Sequence, residues 1–167
     1  GSSLVGSEMC IRDRSKPLGF RLKLTNVPAT GSRKWARYRS PNLRLLAVPV
    51  AHGETPAIAW RVEIDDYVVV FAGGFNNDKD IIRSFAKDAD ALVASHAIAE
   101  ASRGALRDAF ALPSELGKVA AAADARMLIL AQRASRTRGR ESLSRGSIEN
   151  FYKGSVLFAN DGECWGL

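Results

Sequence analysis

The sequence of 167 residues is poor in side chains that bind metals or form disulfides. Its two cysteines, Cys10 and Cys164, are too few for a disulfide framework or a four-thiolate zinc site. Its two histidines, His52 and His96, leave little material for a metal centre. No run of about 18 apolar residues is present, which argues against a membrane-spanning helix. With 46% hydrophobic and 25% charged residues, the composition is that of one globular domain.

The net charge of +6 is unevenly distributed along the chain. Residues 1–45 contain ten Lys or Arg and two acids, whereas residues 46–167 contain fourteen Lys or Arg and sixteen acids. The basic excess therefore belongs to the N-terminal segment and not to the rest of the chain. A basic arm can attract nucleic acid or anionic lipid, but charge alone is weak evidence of a partner, and we favour a solvated, poorly packed leader.

The chain divides into three parts. Residues 1–14 have no periodicity and resemble a recurrent translation of sequencing-adapter DNA, so we expect a non-native leader there. Residues 15–42 are basic and rich in Pro and Gly, which predicts an irregular segment with one short strand at Phe20–Leu24. Residues 43–167 form the predicted domain. Because no apolar signal-peptide region is present, the sequence predicts a cytoplasmic protein.

Hydrophobic patterns predict an α/β domain. Apolar or alternating segments predict strands at 43–50, 57–64, 67–72, 91–95, 127–131 and 156–159. Periodic apolar positions predict helices at 78–87, from Pro113 onward and at 144–152, with helical or mixed structure over 97–110. Two of these strands are apolar on both faces and need cover on both sides. The predicted helices can supply only one of the two layers.

Six blocks of this domain resemble, in order and spacing, the metallo-β-lactamase superfamily. The nearest resemblance is to bacterial hydrolase-like members near the ribonuclease Z and arylsulfatase branch, and it covers roughly residues 43–167. The blocks are HGETPAIAWRVE (52–63), VVVFAGGFNND (68–78), DADALVASHAI (88–98), LPSELGKVAAAADARMLILAQ (112–132), SRTRGRES (135–142) and YKGSVLFANDGECW (152–165).

The resemblance implies a four-layer αββα sandwich made of two similar halves. This chain resembles the C-terminal half only, with a mixed sheet that carries helices on one face. The family's His-x-His-x-Asp-His motif lies in the N-terminal half, and no such string occurs in this sequence. Family members hold one or two zinc ions that activate a hydroxide for hydrolysis of esters, lactones or phosphodiesters.

The resemblance also places three functional positions of the family on residues that do not coordinate metal. Gly74 stands where the family has the bridging aspartate, Gln132 where it has the last histidine ligand, and Phe110 where it has a further functional histidine. We therefore expect no metal cofactor in this chain and no confident catalytic residue. The pocket candidates that remain are His52, His96 and Asn76, and each has an ordinary structural explanation, such as a hydrogen-bonded loop histidine.

A basic cluster follows the strand at 127–131. Its arginines are candidates for weak binding of phosphate or a nucleic-acid backbone, although they can equally pair with acids. No interleaved aromatic residues support the stacking of single-stranded bases. The anion-binding candidates are Arg133, Arg136, Arg138 and Arg140.

Three hypotheses follow. The first is a truncated, catalytically impaired metallo-β-lactamase-fold hydrolase homologue. The second is a non-enzymatic binding module that uses the basic loop 133–145 or an exposed sheet face. The third is an enzyme whose partner subunit supplies the other half and the metals, but the residues at 74 and 132 count against it. If the second sheet face lacks cover, we expect self-association, aggregation or marginal folding.

Overall fold

The computed structural model describes residues 24–31 and 35–166, with side chains from residue 38 onward in the second range. The strands are β1 (Trp35–Arg39), β2 (Leu43–Val50), β3 (Ala57–Ile64), β4 (Tyr67–Gly73), β5 (Ala91–Ser95), β6 (Met127–Ala131) and β7 (Ser155–Phe158). The helices are α1 (Ile81–Phe85), α2 (Leu106–Ala109), α3 (Pro113–Ala122) and α4 (Glu141–Glu149). Within these ranges no helix has the length and apolar character needed to cross a membrane.

All seven strands form one mixed sheet in chain order. Strands β1 to β4 are antiparallel neighbours, whereas β4 to β7 run parallel to one another. The antiparallel part is built from tight connections, of which the Asp65-Asp66 turn between β3 and β4 is the clearest: Asp65 has a φ of 48°, in the left-handed region that short-chain polar residues tolerate. The parallel part needs crossovers, and the helices lie in them.

The hydrophobic core lies between the helices and one face of the sheet. Val70, Leu92 and Leu128 point into it from β4, β5 and β6 and are fully buried. Phe85 of α1 and Leu116 of α3 meet them from the helical side. Burial of each such side chain contributes about 1.5–3 kcal/mol, so the packing of the helices on this sheet face stabilises the fold substantially.

The opposite face of the sheet has no helix packed on it among the described residues. Because side chains alternate along a strand and the register pairs Val62 with Val69 and Trp60 with Phe71, these residues share one face. Phe71 lies in the middle of the sheet and is nevertheless 47% exposed. On this side, Ala47, Pro49, Ala91 and Ile129 are buried, whereas the other large apolar residues are half-buried or exposed. We define the bare face as the large apolar residues of this side: Leu43, Leu45, Pro49, Ile58, Trp60, Val62, Ile64, Tyr67, Val69, Phe71, Val93, Met127, Ile129 and Leu157.

The α/β prediction with a mixed sheet and helices on one face is confirmed, but three boundaries differ. Residues 35–39, assigned above to the irregular segment 15–42, form the edge strand β1 against β2. The helix expected at 78–87 is only Ile81–Phe85, because Asp80 and Asp88 adopt positive φ at its two ends. The helix expected at 144–152 is Glu141–Glu149, so it begins and ends three residues earlier than expected. The strand expected at Phe20–Leu24 falls almost wholly outside the described residues.

Candidate functional site

The predicted site residues follow the carboxyl ends of neighbouring strands. Strands β4, β5 and β6 are parallel, so Gly74, His96 and Gln132 leave the sheet at the same edge. Strand β2 runs in the same direction as β4, because both are antiparallel to β3, and His52 therefore follows β2 at this edge too. Ligands and catalytic groups of open α/β sheets gather at this edge, so this is the candidate site.

Gly74, His52 and Phe110 converge on one point of this edge. A β-carbon placed on Gly74 would lie 2.7 Å from Cε1 of His52 and 2.9 Å from Cε1 of Phe110, closer than real side chains approach. The His52 ring meets the Phe110 ring edge-on, with centroids 4.9 Å apart. The space beside Gly74, where the resemblance implies an aspartate, is thus filled by an imidazole and a phenyl ring.

The orientation of His52 is fixed by one strong backbone contact. Its Nδ1–H donates a 2.6 Å hydrogen bond to the carbonyl of Ala109, because a carbonyl can only accept. The next residue, Gly53, donates its N–H to the carbonyl of Asp108 at 2.6 Å. His52 therefore ties the loop after β2 to helix α2, which is a structural role.

The side chain of Asn76, another pocket candidate, forms a hydrogen bond with Asp108, the residue that also binds Gly53. Its side-chain amide donates to the carbonyl of Asp108 at 2.6 Å and to Oδ2 of Asp78 at 2.9 Å. Its Oδ1 accepts the N–H of Asp78 at 3.1 Å. All the hydrogen-bonding groups of the side chain are thus used within the protein, and Asn76 orders the segment that follows β4.

Gln132 also has a partner inside the protein. The hydroxyl of Ser95 at the end of β5 donates to its Oε1. Gln132 has a φ of 48°, so the chain turns through the left-handed region directly after β6. Non-glycine residues adopt this region rarely, and the position is held by the surrounding structure.

His96 is the most buried polar side chain of the site. It is fully buried, its Nε2 shares a 2.8 Å hydrogen bond with Oγ of Ser144, and its ring meets that of Phe158 edge-on. Its Nδ1 has no partner among the described residues. Burial and then the charge of Arg133 lower the pKa of His96, so the imidazole is neutral near pH 7.

The backbone carbonyl of His96 also accepts a hydrogen bond. Thr137, which is also fully buried, donates its hydroxyl to this carbonyl at 2.7 Å. His96 lies beneath the loop before α4 and not at an open pocket, so this pocket candidate belongs to the protein interior.

The basic cluster divides into one paired arginine and three exposed ones. Arg133 pairs with Glu141 and donates a 2.6 Å hydrogen bond to Oδ1 of Asn160. The N–H groups of Glu141 and Gly139, together with Arg133, hold the pKa of Glu141 below its usual value. The exposed members are Arg136, Arg138 and Arg140.

A cavity of about 460 Å³ opens beside these arginines. It lies beyond the ends of β6 and β7 and is lined by Gln132, Arg133, Arg138, Asn160 and Asp161, among others. Two guanidinium groups and two amides favour an anion there, whereas the carboxylate of Asp161 opposes one.

The residues at this edge do not fit a zinc ion. Zinc sites in proteins use thiolate, imidazole and carboxylate donors in a tetrahedral arrangement. Gly74 and Phe110 offer no donor, and Gln132 offers a neutral amide that already accepts a hydrogen bond. Among the residues that the structure describes, no group of three His, Cys, Asp or Glu side chains lies close enough to hold a metal.

Comparison with solved structures identifies the fold. The metallo-β-lactamase fold protein YhfI from Bacillus subtilis is similar over 77% of this chain and 52% of its own, with a TM-score of 0.65 and 19% identity. The short form of human tRNase Z is similar over 77% and 43%, with a TM-score of 0.60 and 15% identity. A diphosphatase of the PhnP family is similar over 75% and 44%, with a TM-score of 0.55 and 14% identity.

The chain therefore has the metallo-β-lactamase fold, as the sequence resemblance implied, and it spans about half the length of the structures it matches. At these identities the comparison establishes the fold and not the activity. No protein-family model matches the sequence, and no curated protein matches it.

Sequence reasoning missed the residues that hold His96 in place. Ser144 lies 48 positions from His96 along the chain, and Phe158 belongs to the last strand. Neither residue type is unusual, and no motif marks them. Only the packing of α4 and β7 against the end of β5 brings them to the imidazole.

Proposed function

We propose that this chain is a hydrolase homologue of the metallo-β-lactamase fold that has lost metal-dependent catalysis. One observation carries the proposal: the space beside Gly74 is filled by the rings of His52 and Phe110. A ligand lost by a single substitution would leave room for the lost side chain. Here the neighbours have closed over the position, which is what a site released from binding metal would show.

The remaining family positions support the same proposal. Gln132 bonds Ser95 instead of presenting a free donor, and His52 uses Nδ1 to hold the carbonyl of Ala109. A zinc-bound hydroxide needs several ligands that raise the metal's affinity and fix its geometry. No catalytic step is assigned to this site, because the donors that would support one are missing.

The proposal is tested by assaying hydrolysis with added zinc or manganese. The purified chain is incubated with bis-p-nitrophenyl phosphate and with a generic p-nitrophenyl ester, and we expect rates equal to the protein-free blank. The double variant Gly74→Asp with Gln132→His should stay inactive, because a side chain at position 74 collides with His52 and Phe110.

A metal-dependent rate above the blank would contradict the proposal. The variant His52→Ala then separates the two sources of such a rate. If the rate falls in His52→Ala, it comes from this site and overturns the proposal. If the rate is unchanged, it comes from a contaminating hydrolase, and this chain itself is still expected to be inactive.

A second candidate function is anion binding in the cavity beside the basic loop. The exposed guanidinium of Arg138 and the amide of Asn160 line this cavity, and within the described residues Arg136, Arg138 and Arg140 make no ion pair with an acid. Phosphate esters, free or in a nucleic-acid backbone, have the charge and geometry that such groups bind.

This candidate is tested by titrating inorganic phosphate and a short single-stranded RNA into the protein. Weak, salt-sensitive binding that is lost in Arg138→Ala is expected if the cavity is the site. The control is Arg103→Ala, which removes an exposed arginine whose guanidinium bonds the neighbouring carbonyl of Ser102. Equal binding by both variants would show that the cavity is not the binding site. If RNA binds but inorganic phosphate does not, the protein contacts the RNA backbone over an extended surface and not in the cavity.

A further inference from the structure

We propose that His96 is a pH-sensitive latch: its neutral imidazole holds the basic loop and the start of α4 against the end of the sheet, and protonation of the ring releases them. We call residues 133–144 the latch segment. The device is separate from hydrolysis and does not depend on whether the neighbouring cavity binds an anion. Three features carry the proposal: the contacts that tie the latch segment to His96, the missing partner at Nδ1 of the ring, and the charges around the ring.

His96 ties the latch segment to the sheet through both its backbone and its ring. Its N–H donates to the carbonyl of Ala131 at 2.8 Å, which fixes it beside the end of β6. Its carbonyl accepts the N–H of Ala134 at 3.2 Å and the hydroxyl of Thr137 at 2.7 Å. Its ring shares a 2.8 Å hydrogen bond with Ser144 of α4. One residue therefore contacts the beginning, the middle and the end of the segment.

Few other buried contacts hold the latch segment in place. Thr137 and Ser144 are its buried residues, and both contact His96. Its one large apolar side chain, Leu143, is 71% exposed. The second half of α4 is held differently, because the fully buried Ile148 anchors it in the core. Segments with few buried apolar contacts open at a lower free energy than the core, so the latch segment can open while the rest of the fold stays closed.

The closed structure has no place for a second proton on the ring of His96. An imidazolium ion carries an N–H at both ring nitrogens. Nε2 can donate to Oγ of Ser144, but Nδ1 has no acceptor among the described residues. The ring is fully buried and meets the ring of Phe158 edge-on. Because an unpaired buried charge is costly, burial lowers the pKa of His96.

The charged groups around the ring also oppose its protonation. From the loop, the guanidinium of Arg133 lowers the pKa of His96 further. From α4, the carboxylate of Glu141 favours the proton, but this carboxylate is already paired with Arg133. The guanidinium carbon of Arg145, also on α4, lies 5.2 Å from the centre of the Phe158 ring and adds a second positive charge. Strands β5, β6 and β7 contain no charged side chain.

Lower pH therefore favours the released state. The ring becomes protonated readily only when it reaches water, which requires the latch segment to move away from it. Below the ordinary His pKa of 6.5, the released form binds a proton that the closed form excludes, so the released fraction rises by up to about tenfold per pH unit. Because Arg133 and Arg138 line the cavity beyond β6 and β7, release also changes that cavity.

The proposal is tested by hydrogen–deuterium exchange of the full chain at about pH 7.5 and about pH 5.5, with each rate corrected for the intrinsic effect of pH. Latch-segment amides should lose protection by about tenfold and stay less protected than the amides of β2 to β4 at both pH values. His96→Gln keeps a hydrogen-bonding side chain that does not titrate and should remove this pH dependence. The matched control is His52→Gln, which removes the other of the two histidines and should preserve it.

Four results would overturn the proposal. They are latch protection that does not change with pH, a pH dependence that persists in His96→Gln, one that disappears in His52→Gln, and latch amides that exchange only together with the strand amides. If His96→Gln fails to fold by circular dichroism, His52→Gln supplies the second test, because His96 is then the only imidazole. Its NMR signal should titrate with a midpoint below 6.5, and a midpoint of 6.5 or higher would overturn the proposal.

Discussion

The two faces of the sheet differ in how deeply their side chains are buried. On the helical face, Val70 and Leu92 are fully buried in a core that α1, α3 and α4 complete. On the bare face, Phe71 is equally central in the sheet and is 47% exposed. In the central strands both faces are apolar, so hydrophobicity alone does not distinguish them there. What distinguishes them is that the described part of the chain supplies helices to only one face.

The chain also spans only about half the length of each similar structure. All strands of this sheet are paired and connected, and helices cover one of its faces. The other face has no helical layer among the described residues. Domains bury each apolar face against another layer. The second face must find its layer outside the described part of this chain.

The largest difference between the two faces is expected when adjacent valines of β4 that point to opposite faces are each truncated to alanine. Val70→Ala removes two methyl groups from the dry core and should lower the free energy of unfolding by about 2–3 kcal/mol. Val69→Ala removes the same atoms from the bare face and should cost less than about 1 kcal/mol in dilute solution. Urea unfolding of both variants at several protein concentrations measures this.

The concentration dependence decides what covers Val69. If a second copy packs on the bare face, the cost of Val69→Ala grows as protein concentration rises, because the dimer is favoured by mass action. A cost as large as that of Val70→Ala at every concentration would show that the chain covers both faces, and the contrast between the faces would be wrong.

A second test uses two glycines of the helical layer. A β-carbon on Gly117 of α3 would lie 2.6 Å from the carbonyl oxygen of Ile148, so Gly117→Ala should destabilise the protein by about 1–3 kcal/mol through overpacking. The control is Gly146→Ala in α4, where nothing lies within 4 Å of the new carbon. It should stabilise by about 0.5–1 kcal/mol through helix propensity.

Thermal or urea unfolding of the two glycine variants measures both signs. Opposite effects would confirm that α3 and α4 touch backbone to backbone over the helical face. Two stabilised variants would mean that the helices stand further apart than described here.

The smallest expected effect concerns the buried imidazole at the edge of the helical layer. Burial, with Arg133 nearby, lowers the pKa of His96 from its ordinary value of 6.5. The unfolded chain therefore binds a proton first as the pH falls. The contribution of His96 is fully present above pH 6.5 and is lost as the pH drops towards its folded-state pKa, with a slope of at most about 1.4 kcal/mol per pH unit.

The check is urea unfolding between neutral and mildly acidic pH for the wild type and His96→Gln. The variant should lose this component of the pH dependence while keeping the part that arises from carboxylates at lower pH. An unchanged slope in His96→Gln would show that the imidazole is not the titrating group.

Local patterns predicted six of the seven strands in the described sheet. Alternation in Ala57–Ile64 and the Asp65-Asp66 turn defined the β3–β4 hairpin, because strand period and turn chemistry are both local properties. The edge strand β1 was missed because Trp35–Arg39 is short and basic, and its pairing depends on β2. Helix ends were displaced because positive φ at Asp80 and Asp88 is set by the surrounding chain.

The candidate site could be predicted only in part. Its location at the carboxyl ends of strands follows from the strand order, and the positions Gly74, Phe110 and Gln132 came from the family resemblance. The packing of the His52 and Phe110 rings into the space beside Gly74 could not be predicted, since these residues come together only through tertiary packing. The same holds for the burial of His96 under Ser144.

The central proposal is that the edge where metallo-β-lactamase-fold structures are expected to bind metal does not bind it in this chain. Isothermal titration of Zn²⁺ into the purified, chelator-treated chain, with metal content measured before treatment, tests it directly. The account predicts no stoichiometric metal before treatment and only weak, non-stoichiometric heat on titration. One tightly bound zinc per chain, released by His52→Ala, would contradict it.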